Sequence, residues 1–232
     1  MDAAQWAWEF LRRNPDYQRD WQWFQQRWQA LESRYGKPPE RDFQRWQHDP
    51  DAWVQVDDDT GECRVDEDKV LIECWLGAKW GFYKFPLDPA TEQPCIGEQL
   101  TWRETEQPVA RVQDDDAVYL AGDAAHIALG FDLDLPLRRQ LEAARHYLQV
   151  RQARLRRSGE VVMRTVGNLA GHWCCLLRML DGVDGGESPD AVYAVLAAGC
   201  AEEQFTGTGS DLLAEARQLV EGGYREIVRL PG

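Results

Sequence analysis

Three successive helical patterns close the chain, and they constrain its fold more than any other feature. The first runs from about residue 160 to residue 180, with apolar residues every three or four positions. The second opens at Ser188-Pro189, because serine accepts bonds from free backbone N–H groups and proline at the first helical position loses none. The third opens near Ser210-Asp211 and closes at Gly222-Gly223. Three short helices in this order predict either a plain helical bundle or a helix-turn-helix unit.

The N-terminal part has a different character, because most of the eleven tryptophans lie before residue 103. Helical periodicity predicts two helices over residues 5–35 with a break at Asn14-Pro15, and a third, shorter helix over residues 40–47. The tryptophans favour a compact aromatic core, and self-association is the alternative role for them. We therefore expect a tryptophan-rich helical domain at the N-terminus.

The middle of the chain contains the segments that favour β structure. Residues 69–76 are predicted to form a strand or a short buried helix. Residues 109–112, 117–120 and 126–133 alternate or run apolar between turns, which is typical of a small antiparallel sheet. A long, arginine-rich helix is predicted next, over residues 138–157. The predicted fold class is therefore mainly α with a small antiparallel β element.

The formal net charge of −14 argues against general affinity for nucleic acid, because that affinity comes from basic side chains. The charge is uneven, however. Residues 1–135 hold 14 basic and 28 acidic side chains, whereas residues 138–164 hold eight arginines and two glutamates. A local basic face of this kind can bind DNA on an acidic chain. In the alternative interpretation, the acidic N-terminal half neutralises the arginines within one chain or between subunits.

Several classes of protein are not favoured. The chain lacks the short motifs of serine hydrolases, P-loop proteins, dinucleotide-binding enzymes and zinc proteases, so we expect no enzyme and no catalytic residues. The six cysteines lack zinc-site spacing, so no metal site is expected. A cytosolic chain of this size is not expected to contain a disulfide framework, and we expect no cofactor. No run of eighteen apolar residues and no secretory signal is present, so we expect a cytoplasmic protein without a membrane partner.

Two separate parts of the chain resemble one family of bacterial regulators. The phrases HWCCLLRMLDGVDGGESPDAVYAVL and ARQLVEGGYREIVRLPG resemble the C-terminal DNA-binding domain of the RovC-like transcription factors. The phrases WAWEFLRRNPDYQRDW and WGFYKFPLDPA resemble the N-terminal transcriptional-regulator-like domain of the same proteobacterial proteins. The phrase HIALGFDLDLPLRRQLEAARHYL resembles the family's link between these two domains. The resemblance implies an N-terminal domain over residues 1–108, a small β element and basic linking helix over residues 109–159, and a helix-turn-helix-like domain over residues 160–232.

The resemblance also implies a function. Members of this family regulate type VI secretion and integrative conjugative elements, so we expect an activator that binds double-stranded DNA at promoters as a homo-oligomer. The family also contains small antiactivators, which makes a protein-interaction regulator that binds another transcription factor without contacting DNA the alternative. This chain departs from the family pattern at residues 206–210, where threonine, glycine and serine stand in place of several arginines.

The candidate DNA-contacting residues are basic or hydroxyl-bearing, since phosphate oxygens accept hydrogen bonds from both kinds of side chain. One of them, Arg217, also suits a guanine edge. The candidates are Arg151, Arg154, Arg156, Arg157, Arg164, Thr206, Thr208, Ser210, Arg217 and Arg225.

Overall fold

The structure is a computed structural model that describes residues 1–56, 63–66, 68–83, 85–97, 99–103, 126–199 and 207–230. The chain divides into two compact units. The first unit consists of Met1–Thr105 together with Leu169–Gly232, and the second consists of Glu106–Asn168. Within the described residues the fold is mainly helical with one small antiparallel sheet, as the sequence predicts.

The first two helices end and begin where local signals place them. Helix α1 spans Ala3–Leu11, and helix α2 spans Pro15–Tyr35. The side chain of Asn14 caps α2 by accepting hydrogen bonds from the backbone N–H groups of Asp16 and Tyr17. The predicted break at Asn14-Pro15 is therefore confirmed.

The sheet lies nearer the N-terminus than the alternating pattern predicts. After the short helix α3 (Phe43–Trp46) and a 3-10 turn (Pro50–Ala52), three strands follow: β1 (Trp53–Gln55), β2 (Arg64–Asp66) and β3 (Lys69–Leu71). They pair antiparallel in the order β1-β3-β2. Helix α4 (Ile72–Trp80) starts directly after β3, so residues 69–76 are partly strand and partly helix.

The prediction of a strand over residues 126–133 is wrong, and residues 109–112 and 117–120 lie outside the described residues. Residues 126–133 have no regular structure. The alternate apolar residues of this segment, Ile127, Leu129 and Phe131, line a groove together with residues of the next helix. A period of two can therefore occur in a segment that forms no strand.

Five of the eleven tryptophans belong to the predicted aromatic core, and the other six are half-buried. Trp8, Tyr17, Trp46 and Phe82 are almost completely buried. The ring of Trp8 meets the rings of Tyr17 and Phe82 edge-on, at centroid distances of 5.9 and 6.1 Å. Edge-to-face contacts of this kind stabilise a core beyond the burial of apolar area alone.

The second unit contains helix α5, which spans Leu137–Ser158 and confirms the predicted long helix. Gly159 ends it in the left-handed conformation, with φ of 76°. Helix α6 (Val166–Asp184) starts in the second unit and continues in the first, beginning later than the predicted residue 160. Helix α6 also continues past residue 180 to Asp184, and Gly182 lies within it, close to the side chain of Val192.

The next two helices start at or next to the residues that the sequence predicts. Helix α7 spans Pro189–Gly199 and helix α8 spans Gly209–Gln218. A π-helical turn follows over Leu219–Gly223, and within it Gly222 has a non-helical backbone with φ of 164°. The path of α8 is therefore broken at the predicted glycine pair. A further short helix, α9 (Tyr224–Val228), which the sequence did not predict, follows this break.

The N-terminal and C-terminal segments share one core. The ring of Trp6 packs on that of Trp173 at 5.5 Å, and the Asn14 side chain donates a 2.9 Å hydrogen bond to the carbonyl of Val220. Arg13 pairs with Asp181 at 2.8 Å. The three-domain division at residues 108 and 159 stays a prediction, while these contacts join its first and last parts in one structural unit.

Cys63 and Cys74 form a disulfide, although no disulfide framework is expected from the sequence. Sequence spacing carries no information about such a pairing, because the strand and helix geometry that brings the two sulfur atoms together is absent from the pattern. None of the helices in the described part of the chain is long and apolar enough to cross a membrane.

Candidate nucleic-acid interface

Helix α5 carries the densest positive charge in the described chain, with seven arginines and one glutamate. Of the predicted contact residues, Arg154, Arg156 and Arg157 are exposed on this helix, and Arg151 is half-buried beside a groove. Arg164 is exposed in the segment that joins α5 to α6. All five of these arginines belong to the second unit.

Most of these arginines keep their charge unneutralised. Within the residues that the structure describes, Arg151, Arg154 and Arg156 have no ion-pair partner, and the one ion pair on α5 joins Arg138 to Glu142 at 3.2 Å. The Nε–H group of Arg157 donates to the carbonyl of Ala153 at 3.2 Å, which leaves its charge in place. Guanidinium groups without carboxylate partners can bind phosphate oxygens with two parallel hydrogen bonds.

Helix α8 starts one residue earlier than predicted, and side chains of its own first turn accept hydrogen bonds from its free backbone N–H groups. Thr208, and not Ser210, is the capping residue. Its Oγ1 accepts a hydrogen bond from the Asp211 backbone N–H, and Asp211 Oδ2 accepts one from the Thr208 backbone N–H at 2.8 Å. This backbone bond and the Thr208 hydroxyl lower the pKa of Asp211, so a fixed negative charge stands at the start of the helix.

The exposed side of α8 carries more negative than positive charge. Ser210, Asp211, Glu215 and Arg217 are exposed on it. Glu215 Oε1 lies 2.8 Å from Nε2 of His172 on α6. Two carboxylates beside one guanidinium repel the DNA backbone, so α8 is less suited to phosphate contact than α5. Ser210 and Arg217 remain its candidates for contact with DNA.

The start of α8 also lies close to the start of α7. A Cβ atom added at Gly209 would stand 2.4 Å from the carbonyl oxygen of Pro189. A side chain at position 209 therefore has no room, so the two helix starts can approach this closely only with glycine there. Residues 200–206 of the connection, including the candidate Thr206, lie outside the described residues.

Arg225 packs against the N-terminal part of the first unit. Its Nη2 donates a 2.6 Å hydrogen bond to the carbonyl of Lys79, and its Nε donates a 3.3 Å bond to the hydroxyl of Tyr224. That hydroxyl donates in turn to the carbonyl of Trp80 at 3.0 Å. These hydrogen bonds give Arg225 a structural role. The sequence could not reveal this role, because Lys79 is 146 residues away.

The predicted residues thus fall into two groups. The arginines from residue 151 to residue 164 belong to the second unit, and Thr208, Ser210, Arg217 and Arg225 belong to the first. Two further arginines of α5, Arg139 and Arg145, are exposed without ion pairs in the described structure, and the candidate set omitted them. The charge count over residues 138–164 already contained the signal that would have included them.

Comparison with known proteins identifies one part of the chain. Residues 1–47, which include α1, α2 and α3, match the model of the proteobacterial transcriptional regulator-like domain. No curated protein and no solved structure matches the chain. The matched domain supports a regulatory role and points to a regulator rather than an enzyme.

Proposed function

We propose that this protein is a bacterial transcriptional regulator that binds double-stranded DNA near promoters as a homo-oligomer. The regulator-like domain at residues 1–47 supports the regulatory part of this proposal. The observation that carries the DNA-binding part is the row of arginines on α5 that no carboxylate neutralises in the described structure. The resemblance to the RovC-like family makes activation the proposed direction of regulation, and control of type VI secretion or of an integrative conjugative element the proposed setting.

In this proposal the phosphate contacts come mainly from α5 and from Arg164. Exposed guanidinium groups along a helix of 22 residues can follow the DNA backbone over several phosphates. The base contacts come from α8, where Ser210 and Arg217 are exposed near the acidic Asp211. The phosphate contacts therefore dominate affinity, and the few base contacts set sequence preference.

The test is fluorescence anisotropy of the full chain with a duplex from its own upstream region and with a scrambled duplex, over a salt series. We expect tighter binding to the upstream duplex and a logarithmic salt slope of about −0.9 for each phosphate contacted. Arg154→Glu should weaken binding to both duplexes and make the slope shallower by about one contact. Arg19→Glu is the control, since this substitution makes the same charge change at an exposed position of α2 in the first unit.

Equal effects of the two substitutions would contradict the assignment of phosphate contacts to α5. A lack of binding to either duplex at low salt would contradict direct DNA recognition altogether.

One observation favours a second function, in which the protein binds another transcription factor and not DNA. The exposed side of α8 carries Asp211 and Glu215, and its capping groups are used within the chain. A surface of this charge suits a basic protein partner better than DNA. Affinity capture from the host with the wild-type chain and the Arg154→Glu variant separates the two functions, because only DNA binding requires the arginine.

A further inference from the structure

The second unit contains a groove whose lining is mostly apolar. It has a volume of about 670 Å³ and lies between helix α5 and residues 126–131, which precede the helix. Leu141, Leu148 and Leu155 line it from α5, and Leu129 and Phe131 line it from the preceding segment. Small-molecule sites typically have volumes of about 300–1,000 Å³ and mostly apolar linings. The groove therefore has the size and the lining of a small-molecule site.

The shape of the groove favours a ligand with a long apolar chain. The three leucines of α5 are seven residues apart, so they form a row on one side of the helix that is about 21 Å long. Leu141 and Leu148 leave 56% and 38% of their surface exposed. Covering such side chains with hydrocarbon removes apolar surface from water, which is favourable.

The charge of the lining favours an anionic group on that ligand. Among the described residues, Arg145 and Arg151 line the groove and no carboxylate does. Neither arginine has a hydrogen bond or an ion pair in the described part of the chain. Both side chains therefore have donors free for an anion from outside the chain.

Arg151 is the stronger of the two candidates, because it is half-buried. Arg12, Arg13 and Arg41 are also half-buried, and each of them pairs with a glutamate. A guanidinium group that loses part of its hydration is costly unless an acceptor replaces the water. A carboxylate bound in the groove supplies the missing acceptor.

We propose that this groove binds an amphipathic carboxylate of the fatty-acid class. Its hydrocarbon chain lies along the leucine row, and its carboxylate accepts two parallel hydrogen bonds from the Arg151 guanidinium. Arg145 lies six residues earlier, about 9 Å along the helix axis, and adds positive potential without a direct bond.

The inference goes beyond the proposed function, and its test needs no DNA. Arg139 and Arg157 each lie nine residues from Leu148, so at 100° per residue both stand on the opposite side of α5. The ligand and the DNA backbone therefore use different sides of the helix. Failure of ligand binding leaves the proposed DNA binding untouched, and the reverse also holds.

The experiment is isothermal titration calorimetry of dodecanoate into the full chain, below the critical micelle concentration. We expect one site per chain with a dissociation constant on the order of 10–100 µM. Decanoate and octanoate should bind more weakly, by about two- to fourfold for each methylene group removed. Dodecyltrimethylammonium, which has the same chain and the opposite charge, should bind about tenfold more weakly than dodecanoate or worse.

Substitutions of arginine test the position of the carboxylate. Arg151→Gln should weaken dodecanoate binding about tenfold, because it removes the charge-assisted hydrogen bonds. Arg151→Lys keeps the charge and should lose about threefold or less. Arg139→Gln is the matched control, since it makes the same change at an exposed position on the opposite side of α5, and it should change the constant by about twofold or less.

Substitutions of apolar residues test the position of the chain. Leu148→Gln should weaken dodecanoate binding about fivefold, because it places a polar amide in the leucine row. Val150→Gln is the matched control, since Val150 is 55% exposed on α5 and does not line the groove. Circular dichroism of each variant checks helix content, so that a loss of fold is recognised as such.

Four outcomes overturn the proposal. The first is a lack of binding at two temperatures with dodecanoate up to about 1 mM, since a heat of zero at one temperature does not persist at another when apolar surface is buried. The second is many weak sites per chain, which means adventitious adsorption only. Equal affinity for dodecanoate and dodecyltrimethylammonium removes the role of the arginine and leaves the groove to an apolar partner such as a protein helix. Equal effects of Arg151→Gln and Arg139→Gln, or of Leu148→Gln and Val150→Gln, show that the ligand binds elsewhere.

Discussion

Removal of the Tyr224 hydroxyl tests whether the N-terminal and C-terminal segments share one core. Tyr224 is fully buried, and its hydroxyl donates a hydrogen bond to the carbonyl of Trp80 at 3.0 Å. Burial raises the pKa of Tyr224 above its ordinary value, so the group stays a protonated donor. Tyr224→Phe removes a bond with a net contribution of about 1 kcal/mol and leaves a buried carbonyl unpaired, at a cost of about 1–3 kcal/mol. We expect a loss of about 2 kcal/mol in unfolding free energy.

For a unit of this size, that loss corresponds to a decrease of about 4–8 °C in Tm. The assay is urea unfolding followed by tryptophan emission, because ten of the eleven tryptophans lie before residue 103 and report on the N-terminal segment. A shared core requires the emission transition to move when the change is made at residue 224. Tyr83→Phe is the control, since Tyr83 is exposed and its replacement should be neutral. If emission unfolds at the wild-type urea concentration while helix content is lost earlier, the two ends fold independently and the reasoning is refuted.

Three other predictions concern stability. Reduction of the disulfide, or Cys74→Ser, should lower the unfolding free energy by about 2.8 kcal/mol for a loop closed over 11 residues, measured by urea unfolding with and without reductant; reductant should not affect the variant further. Burial alone would raise the pKa of Asp49, but bonds from the Asp51 N–H and the Tyr35 hydroxyl and the charge of Arg34 hold it below its ordinary value. Its stabilising effect is therefore present above about pH 4 and lost as pH falls through the lower folded pKa, so Asp49→Asn should flatten the Tm profile between about pH 5 and pH 2. Gly209→Ala should lower the unfolding free energy by about 1–3 kcal/mol because its Cβ meets the α7 backbone, whereas a thermal scan of Gly171→Ala, which has open space, should show no loss.

Each of these outcomes can fail in a distinct way. An unchanged urea midpoint under reductant would mean that the two cysteines are not bridged in solution. A Tm profile of Asp49→Asn that parallels the wild type in acid would mean that other carboxyl groups control acid unfolding. A Gly209→Ala variant as stable as the wild type would mean that α7 and α8 separate easily at their N-termini.

The elements that the sequence predicts well are those with signals a few residues apart. Asn14 followed by proline both ends α1 and caps α2, and Ser188 followed by proline starts α7. The strands β1 and β2 were missed because each is only three residues long, which is too short for a period of two to stand out. Residues 126–133 have the clearer pattern, yet they form no strand, and Ile127, Leu129 and Phe131 line a groove beside a helix.

The candidate site shows the same division between local and long-range information. The basic character of α5 can be read from the sequence, since it depends only on composition and helical periodicity. The role of Arg225 cannot be read in this way, because its partner carbonyl belongs to Lys79. Nor can the bond from Asn14 to Val220, which crosses 206 positions of the chain and joins two segments that resemble separate domains.

The net charge of −14 does not decide between DNA and a protein partner, because it belongs to one of the two units. The first unit holds 17 basic and 31 acidic residues, and the second holds nine of each. At physiological ionic strength, charges more than about 8 Å apart are largely screened. A phosphate beside Arg154 or Arg156 therefore interacts most strongly with the charges within that distance, which include neighbouring guanidinium groups of α5. The local charge of α5, and not the total charge of the chain, determines whether DNA can bind there.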